Sequence, residues 1–138
     1  MMNFEFKVNG GDFTGAGNAS SQLKKVLKQL GVDPAIVKRA VIALYEAEVN
    51  IVAHARKGII RIQIANDFVK INLDDEGPGI EDIGKAMEKG FSTASEKVRS
   101  MGFGAGMGLP NIKTNADNFK ISSQPGVGTH LEIIVQFK

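Results

Sequence analysis

Apolar residues recur along this chain with two periods, and the switches between them lay out its elements. Phe4, Phe6 and Val8 alternate with Glu5 and Lys7, the mark of an edge or half-buried strand, before a small polar loop over 14–18. Leu23, Val26, Leu27 and Leu30 then fall at helical spacing, which predicts a helix over 20–30 with Gly31 as its C-terminal cap. Asp33-Pro34 supplies an N-cap and a first-turn proline for a second, longer helix, which Gly58 ends. Ile60, Ile62 and Ile64 alternate with Arg61 and Gln63, Asn66-Asp67 makes a turn, and Val69, Ile71 and Leu73 alternate again, predicting a hairpin. Near the C-terminus come a strand over 119–124, a turn over 125–128, and a long strand with Thr129, Leu131, Ile133, Val135 and Phe137 on one face. A glycine-rich, charged stretch over 74–108 and a short helix over 109–116 separate the two sheet halves. This order predicts an α/β (α+β) two-layer sandwich, a mixed sheet with helices on one face, and no internal repeat is visible.

Within the second helix, Glu46, Asn50 and His54 stand four apart in the otherwise apolar stretch 40–55. Four residues advance a helix by about 400°, so each step drifts only about 40° and the three side chains form one slanting ridge. Ala40, Val41, Leu44, Ala47, Ile51, Val52 and Ala55 make a broad apolar stripe opposite, and Ile42, Val49 and Ala53 a second. Such a helix lies between layers with its polar strip facing either a cavity or hydrogen-bond partners in the core. Glu48 breaks the pattern, projecting into the main apolar stripe.

Composition narrows the function classes. The 138 residues suit one domain, spanning 1–138. A formal charge of +2 is too small to imply a nucleic-acid or membrane surface, and Lys and Arg cluster on no segment. The absence of cysteine excludes disulfides and thiolate metal sites. With no signal-peptide pattern and no long apolar run, a soluble cytoplasmic protein is expected.

Two segments carry candidate chemistry. Asp75-Glu76-Gly77-Pro78-Gly79 follows a predicted strand, so Asp75 sits where the loop begins. An ionised carboxylate only accepts hydrogen bonds, which suits an exocyclic amine such as that of adenine and disfavours the oxygen of guanine. Gly77 and Gly79 would let the backbone pass close to a flat ring, although D-x-G-x-G is also a common surface turn. Gly102, Gly104, Gly106 and Gly108 alternate with Phe103, Ala105 and Met107 just before a helix. Such a run can turn backbone N–H groups toward a polyphosphate, and its apolar spacers argue against a linker. It lacks the third glycine of a dinucleotide fingerprint. Over 79–86 a P-loop-like spacing is undone by Ala86, which has no hydroxyl for Mg²⁺, and by Glu81 and Asp82 facing the phosphates. His54 and His130 have no metal-ligand spacing, and no nucleophile elbow is present.

The order of these features resembles the Bergerat fold of the GHKL ATPases and kinases: Glu46 with Asn50 on a helix, Asp75-x-Gly77-x-Gly79 after a strand, Gly104-x-Gly106-x-Gly108 before a helix, and Gly128-Thr129 opening the last strand. Within that superfamily the chain resembles the anti-sigma factor serine/threonine protein kinases, over roughly 20–135. The resemblance implies ATP and Mg²⁺ as cofactors, with Asn50 as the metal ligand and Glu46 as the general base or a water-orienting carboxylate. It further implies that Asp75 and Thr129 read adenine and that Gly104, Gly106 and Gly108 wrap the phosphates. The stretch 80–101 becomes an ATP lid, with Lys97 or Arg99 the candidate to reach the γ-phosphate.

Sensor histidine kinases usually carry a lysine four residues after the asparagine, where this chain has His54, and no dimerisation helix with a phospho-accepting histidine is present. Leu109-Pro110-Asn111-Ile112-Lys113 resembles the switch-kinase side of the anti-sigma group. The expected activity is phosphorylation of a STAS-domain antagonist in a bacterial partner-switching pathway. A sigma factor or downstream regulator is a second expected partner, a homodimer is compatible with the family, and neither nucleic acid nor membrane is expected. The alternative is an ATP-binding module that clamps a regulator without phosphoryl transfer.

Overall fold

The structure, a computed structural model, describes residues 1–88 and 108–138. In chain order these form β1 (Met2–Asn9), α1 (Asn18–Gln29), α2 (Pro34–His54), β2 (Lys57–Ile64), β3 (Phe68–Glu76), the one-turn α3 (Ile83–Ala86), α4 (Gly108–Asn115), β4 (Asn118–Gln124) and β5 (Gly128–Gln136). Lys97, Arg99, Gly104 and Gly106 lie outside the described residues, as does most of the stretch expected to form a lid.

Local chemistry sets the helix ends. Asp33 accepts the Ala35 N–H at 2.8 Å, with Pro34 in the first turn of α2. At the other end of α1, Val32 donates to the Leu27 carbonyl and Gly31 to that of Lys28, the paired closure of a Schellman cap, with Gly31 at φ 75°.

The strands form one sheet in the order β1-β2-β3-β5-β4, and every neighbouring pair is antiparallel. The α+β sandwich is as expected, whereas the mixed sheet is corrected. Following the pairings, β4 runs parallel to β3, but β5 folds back between them, so the two never share a ladder.

Register places the core on one face. Phe6, Ile60, Leu73, Leu131 and Ile121 make one row across the strands, and Phe4, Ile62, Ile71, Ile133 and Phe119 the next. Leu23 and Leu27 of α1, Leu44 and Ile51 of α2 and Ile112 of α4 are buried in the same core. Each such side chain contributes about 1.5–3 kcal/mol through burial. The outer face is polar, with Arg61 against Glu5 and Asp74 at 3.5 and 3.7 Å and Lys70 against Glu132 at 3.8 Å. Among the described residues no helix is long and apolar enough to cross a membrane.

Glu48 acquires a clear role. Its carboxylate is 2% exposed and accepts the Ala19 N–H at 3.1 Å and the Ser20 N–H at 3.3 Å. Gly17, the N-cap of α1, has no side chain to cap with, so α2 supplies the missing acceptor from its own face.

Candidate functional site

The rows of the sheet change character at one end. One step beyond the row of Leu73 stand Val8, Gly58 and Asp75, with Thr129 and Ser123 paired on the far side. These residues share the helix-covered face, so a polar wall continues the apolar one. Alternation separates the neighbouring aspartates: Asp74 turns outward to His130 Nδ1 at 2.6 Å, while Asp75 turns inward.

Asp75 Oδ1 accepts the Thr129 N–H at 3.0 Å. Burial pushes its carboxyl above the ordinary value of 3.8; the Thr129 N–H pulls it back in part and the charge of Asp74 adds to the rise. Ser123 Oγ lies 2.9 Å from Thr129 Oγ1, accepts the Ile80 N–H at 2.7 Å and donates to the Gly128 carbonyl at 3.0 Å. Nothing in the sequence marked Ser123 beyond its place on a strand.

Two expected glycines give their room to the chain itself. A Cβ at Gly77 would stand 2.9 Å from Ala55 Cα, and one at Gly79 2.5 Å from the Gln124 carbonyl oxygen. Gly79 also holds φ 71°, which a larger residue rarely adopts. The 77–79 loop is laced to the β4–β5 turn, Gly77 donating to Val127 O and Gly126 to Pro78 O.

Glu46, Asn50 and His54 are half-buried, beside Ala43, Ala47 and Ile51, which are closed to solvent. The ridge meets the first residue of α4: a Cβ on Gly108 would lie 3.1 Å from Asn50 Oδ1 and 3.5 Å from Glu46 Oε2. Glycine therefore lets the start of α4 at Gly108, the positive end of the helix, approach both side chains. Asn111 on α4 hydrogen-bonds the Glu46 carboxylate. Burial raises the Glu46 carboxyl above its ordinary 4.5 and the Asn111 contact offsets part of that rise; burial also lowers His54 below 6.5, favouring the neutral imidazole.

One residue after Asn50, Ile51 brings its side chain to within 2.9 Å of where a Cβ on Gly58 would stand, and Gly58 pairs with Asp75. The helix ridge and the polar wall thus meet at the same end of the layer interface. Together they offer carboxylates, an amide oxygen, hydroxyls and a helix N-terminus, a set suited to a ligand with an amine-bearing ring and an anionic tail.

Comparison with known proteins points the same way. Residues 14–135 match the family model described as the histidine kinase-like ATPase domain. The chain is 39% identical over 121 residues to the serine/threonine-protein kinase RsbT of Bacillus subtilis, covering 84% of this chain and 85% of that one. It is 40% identical over 105 residues to the anti-sigma F factor of Caldanaerobacter subterraneus, covering 71% and 70% respectively. Among solved structures, the RsbU and RsbW domains of a Mycobacterium tuberculosis protein superpose with a TM-score of 0.64 at 14% identity, over 98% of this chain and 32% of that longer one, a likeness of fold.

Proposed function

The chain belongs to the histidine kinase-like ATPase family, in its anti-sigma serine/threonine kinase group, and from that premise we propose a Mg²⁺- and ATP-dependent kinase that phosphorylates a STAS-domain antagonist and so controls partner switching in the bacterial cytoplasm. The observation that carries this reading is the approach of the α4 N-terminus to Glu46 and Asn50, at the end of the sheet where Asp75 and Thr129 turn inward.

Asp75 accepts from the exocyclic amine of adenine, and the α4 N-terminus with Gly108 receives the phosphates. Asn50 offers one amide oxygen beside that terminus, a hard donor that fits Mg²⁺, an ion that keeps several waters and shares the phosphates as ligands. Bound there, Mg²⁺ would neutralise phosphate charge. Glu46, four residues earlier, receives the proton of the incoming serine hydroxyl as its oxygen bonds to the γ-phosphorus and ADP departs. A carboxyl held above its ordinary range is a stronger proton acceptor once ionised, and general-base assistance contributes about 10²–10⁴-fold.

We expect Glu46→Ala to lower phosphotransfer by about 10²-fold or more with ATP affinity nearly unchanged. Asn50→Ala should weaken Mg²⁺-ATP binding by about tenfold or more, the equivalent of roughly 1.4 kcal/mol. Labelled-ATP transfer to STAS proteins of the same genome, alongside calorimetric titration, checks both. Likeness to anti-sigma F factors as well as to a kinase keeps a second reading in view, a clamp that grips its regulator without transfer. A clamp would lose nothing on Glu46→Ala, and equal transfer by mutant and wild type would remove Glu46 from the chemistry.

A further inference from the structure

Ser123 stands at a junction where every hydrogen bond has a forced direction. Its hydroxyl touches the Ile80 N–H at 2.7 Å, the Gly128 carbonyl at 3.0 Å and Thr129 Oγ1 at 2.9 Å. An N–H can only donate and a carbonyl can only accept, while a hydroxyl has one proton and two lone pairs. The Ser123 proton is therefore committed to Gly128, and one lone pair to Ile80. The contact with Thr129 is satisfied only if Thr129 donates its proton to the remaining lone pair.

That direction decides what Thr129 shows to a ligand. With its proton spent on Ser123, Thr129 Oγ1 retains lone pairs alone. Asp75 beside it, joined through the Thr129 N–H at 3.0 Å, is a carboxylate and likewise only accepts. Both groups of the wall are thus acceptors, and a ligand must bring donors to meet them.

We propose that Ser123 is a specificity-determining residue: by fixing the Thr129 proton away from the ligand, it makes the site select a purine with an amino group at position 6 over one with an oxo group there. The inference rests on the nucleotide reading above and adds a residue to it. A 6-amino group offers two protons to two acceptors, whereas a 6-oxo group sets lone pairs against lone pairs. Without the Ser123 hydroxyl, Thr129 is free to rotate its proton toward the ligand and donate to an oxo group. Removing Ser123 should therefore change selectivity as well as affinity.

ATP and ITP are suitable probes, since inosine carries an oxo group at position 6 and a proton on the neighbouring N1 and otherwise matches adenosine, a difference common to every variant compared. Titrating the full chain with each, in the presence of Mg²⁺, we expect wild type to favour ATP and Ser123→Ala to shrink the ratio of the two dissociation constants by about tenfold. Ser123→Thr, which keeps the hydroxyl, should hold the wild-type ratio. In a Thr129→Ala background, Ser123→Ala should leave the ratio unmoved, because no hydroxyl remains to orient. Equal weakening of both nucleotides by Ser123→Ala would overturn the proposal and reduce Ser123 to a support for the β4–β5 hairpin. Wild-type selectivity that survives in Ser123→Ala would overturn it alone. Failure of wild type to bind either triphosphate would instead overturn the nucleotide reading, and the proposal with it.

Discussion

Asp74 and Asp75 are adjacent in sequence and opposite in fate. Asp74 faces outward among His130 and Arg61, where ion pairs between exposed groups contribute little. Asp75 is turned inward, and burial raises its carboxyl above 3.8. A carboxyl whose folded pKa exceeds its unfolded one favours the fold below the unfolded value, and that contribution is lost as pH rises through the folded pKa. At neutral pH the ionised Asp75 is therefore a burden on the free protein. Asp75→Asn should raise the Tm of the unliganded chain at pH 7, with the gain vanishing below pH 3.8. The same substitution puts an amide where adenine's amine must donate, so it should remove the Tm rise that ATP gives wild type, about 2.7 kcal/mol at 100 times Kd. Melting curves with and without Mg²⁺-ATP check both halves. A lower Tm for unliganded Asp75→Asn would mean that the carboxylate is held by contacts stronger than its burial.

Glu48 belongs to the scale of elements, because it joins two helices. A buried acceptor for two N–H groups at the start of α1 does the work of an N-cap from 28 and 29 residues away. Removing it leaves those donors unpaired in the core, so Glu48→Ala should cost about 2–4 kcal/mol, and Glu48→Gln, which keeps one acceptor oxygen, should cost less. Urea unfolding of the two variants measures the difference; equal stability of all three proteins would contradict the capping role. This contact also marks what the sequence could convey. Periodicity placed the helices and strands, since burying one face of each leaves its period in the chain: Leu23 to Leu27, Ile60 to Ile64, Leu131 to Val135. It located Asp75 and the Glu46–Asn50 ridge because strand alternation and helical pitch are local. Glu48 and Ser123 stayed opaque for the opposite reason. Their partners arrive from Ala19, Ile80 and Gly128, through packing that no short window contains. The direction of the sheet was hidden in the same way, set by where β5 inserts.

At the scale of the whole molecule, the far end of the structure is closed by a staple that crosses three elements. Arg39 of α2 donates from Nη2 to Asp117 at 2.9 Å and from Nε to the Asn115 carbonyl at 3.2 Å, while the other oxygen of Asp117 accepts the Gln136 N–H at 2.6 Å. α2, the α4–β4 junction and the end of β5 are thereby tied together, opposite the end that holds Asp75. The Gln136 N–H, aided by the hydrogen bond and charge of Arg39 and opposed by slight desolvation, holds the Asp117 carboxyl below its ordinary 3.8. A depressed folded pKa stabilises above the unfolded value and is lost as pH falls through the folded one, the reverse of Asp75. Asp117→Asn should therefore unfold at lower urea than wild type at pH 7, and the two midpoints should converge as pH is taken below 3.8. Because Asp117 is a third exposed, salt should narrow the gap through the Arg39 part alone, leaving the Gln136 part in place. A gap that high salt erases would assign the staple to the ion pair; one that persists at low pH would show that Asp117 acts through its shape and not its charge.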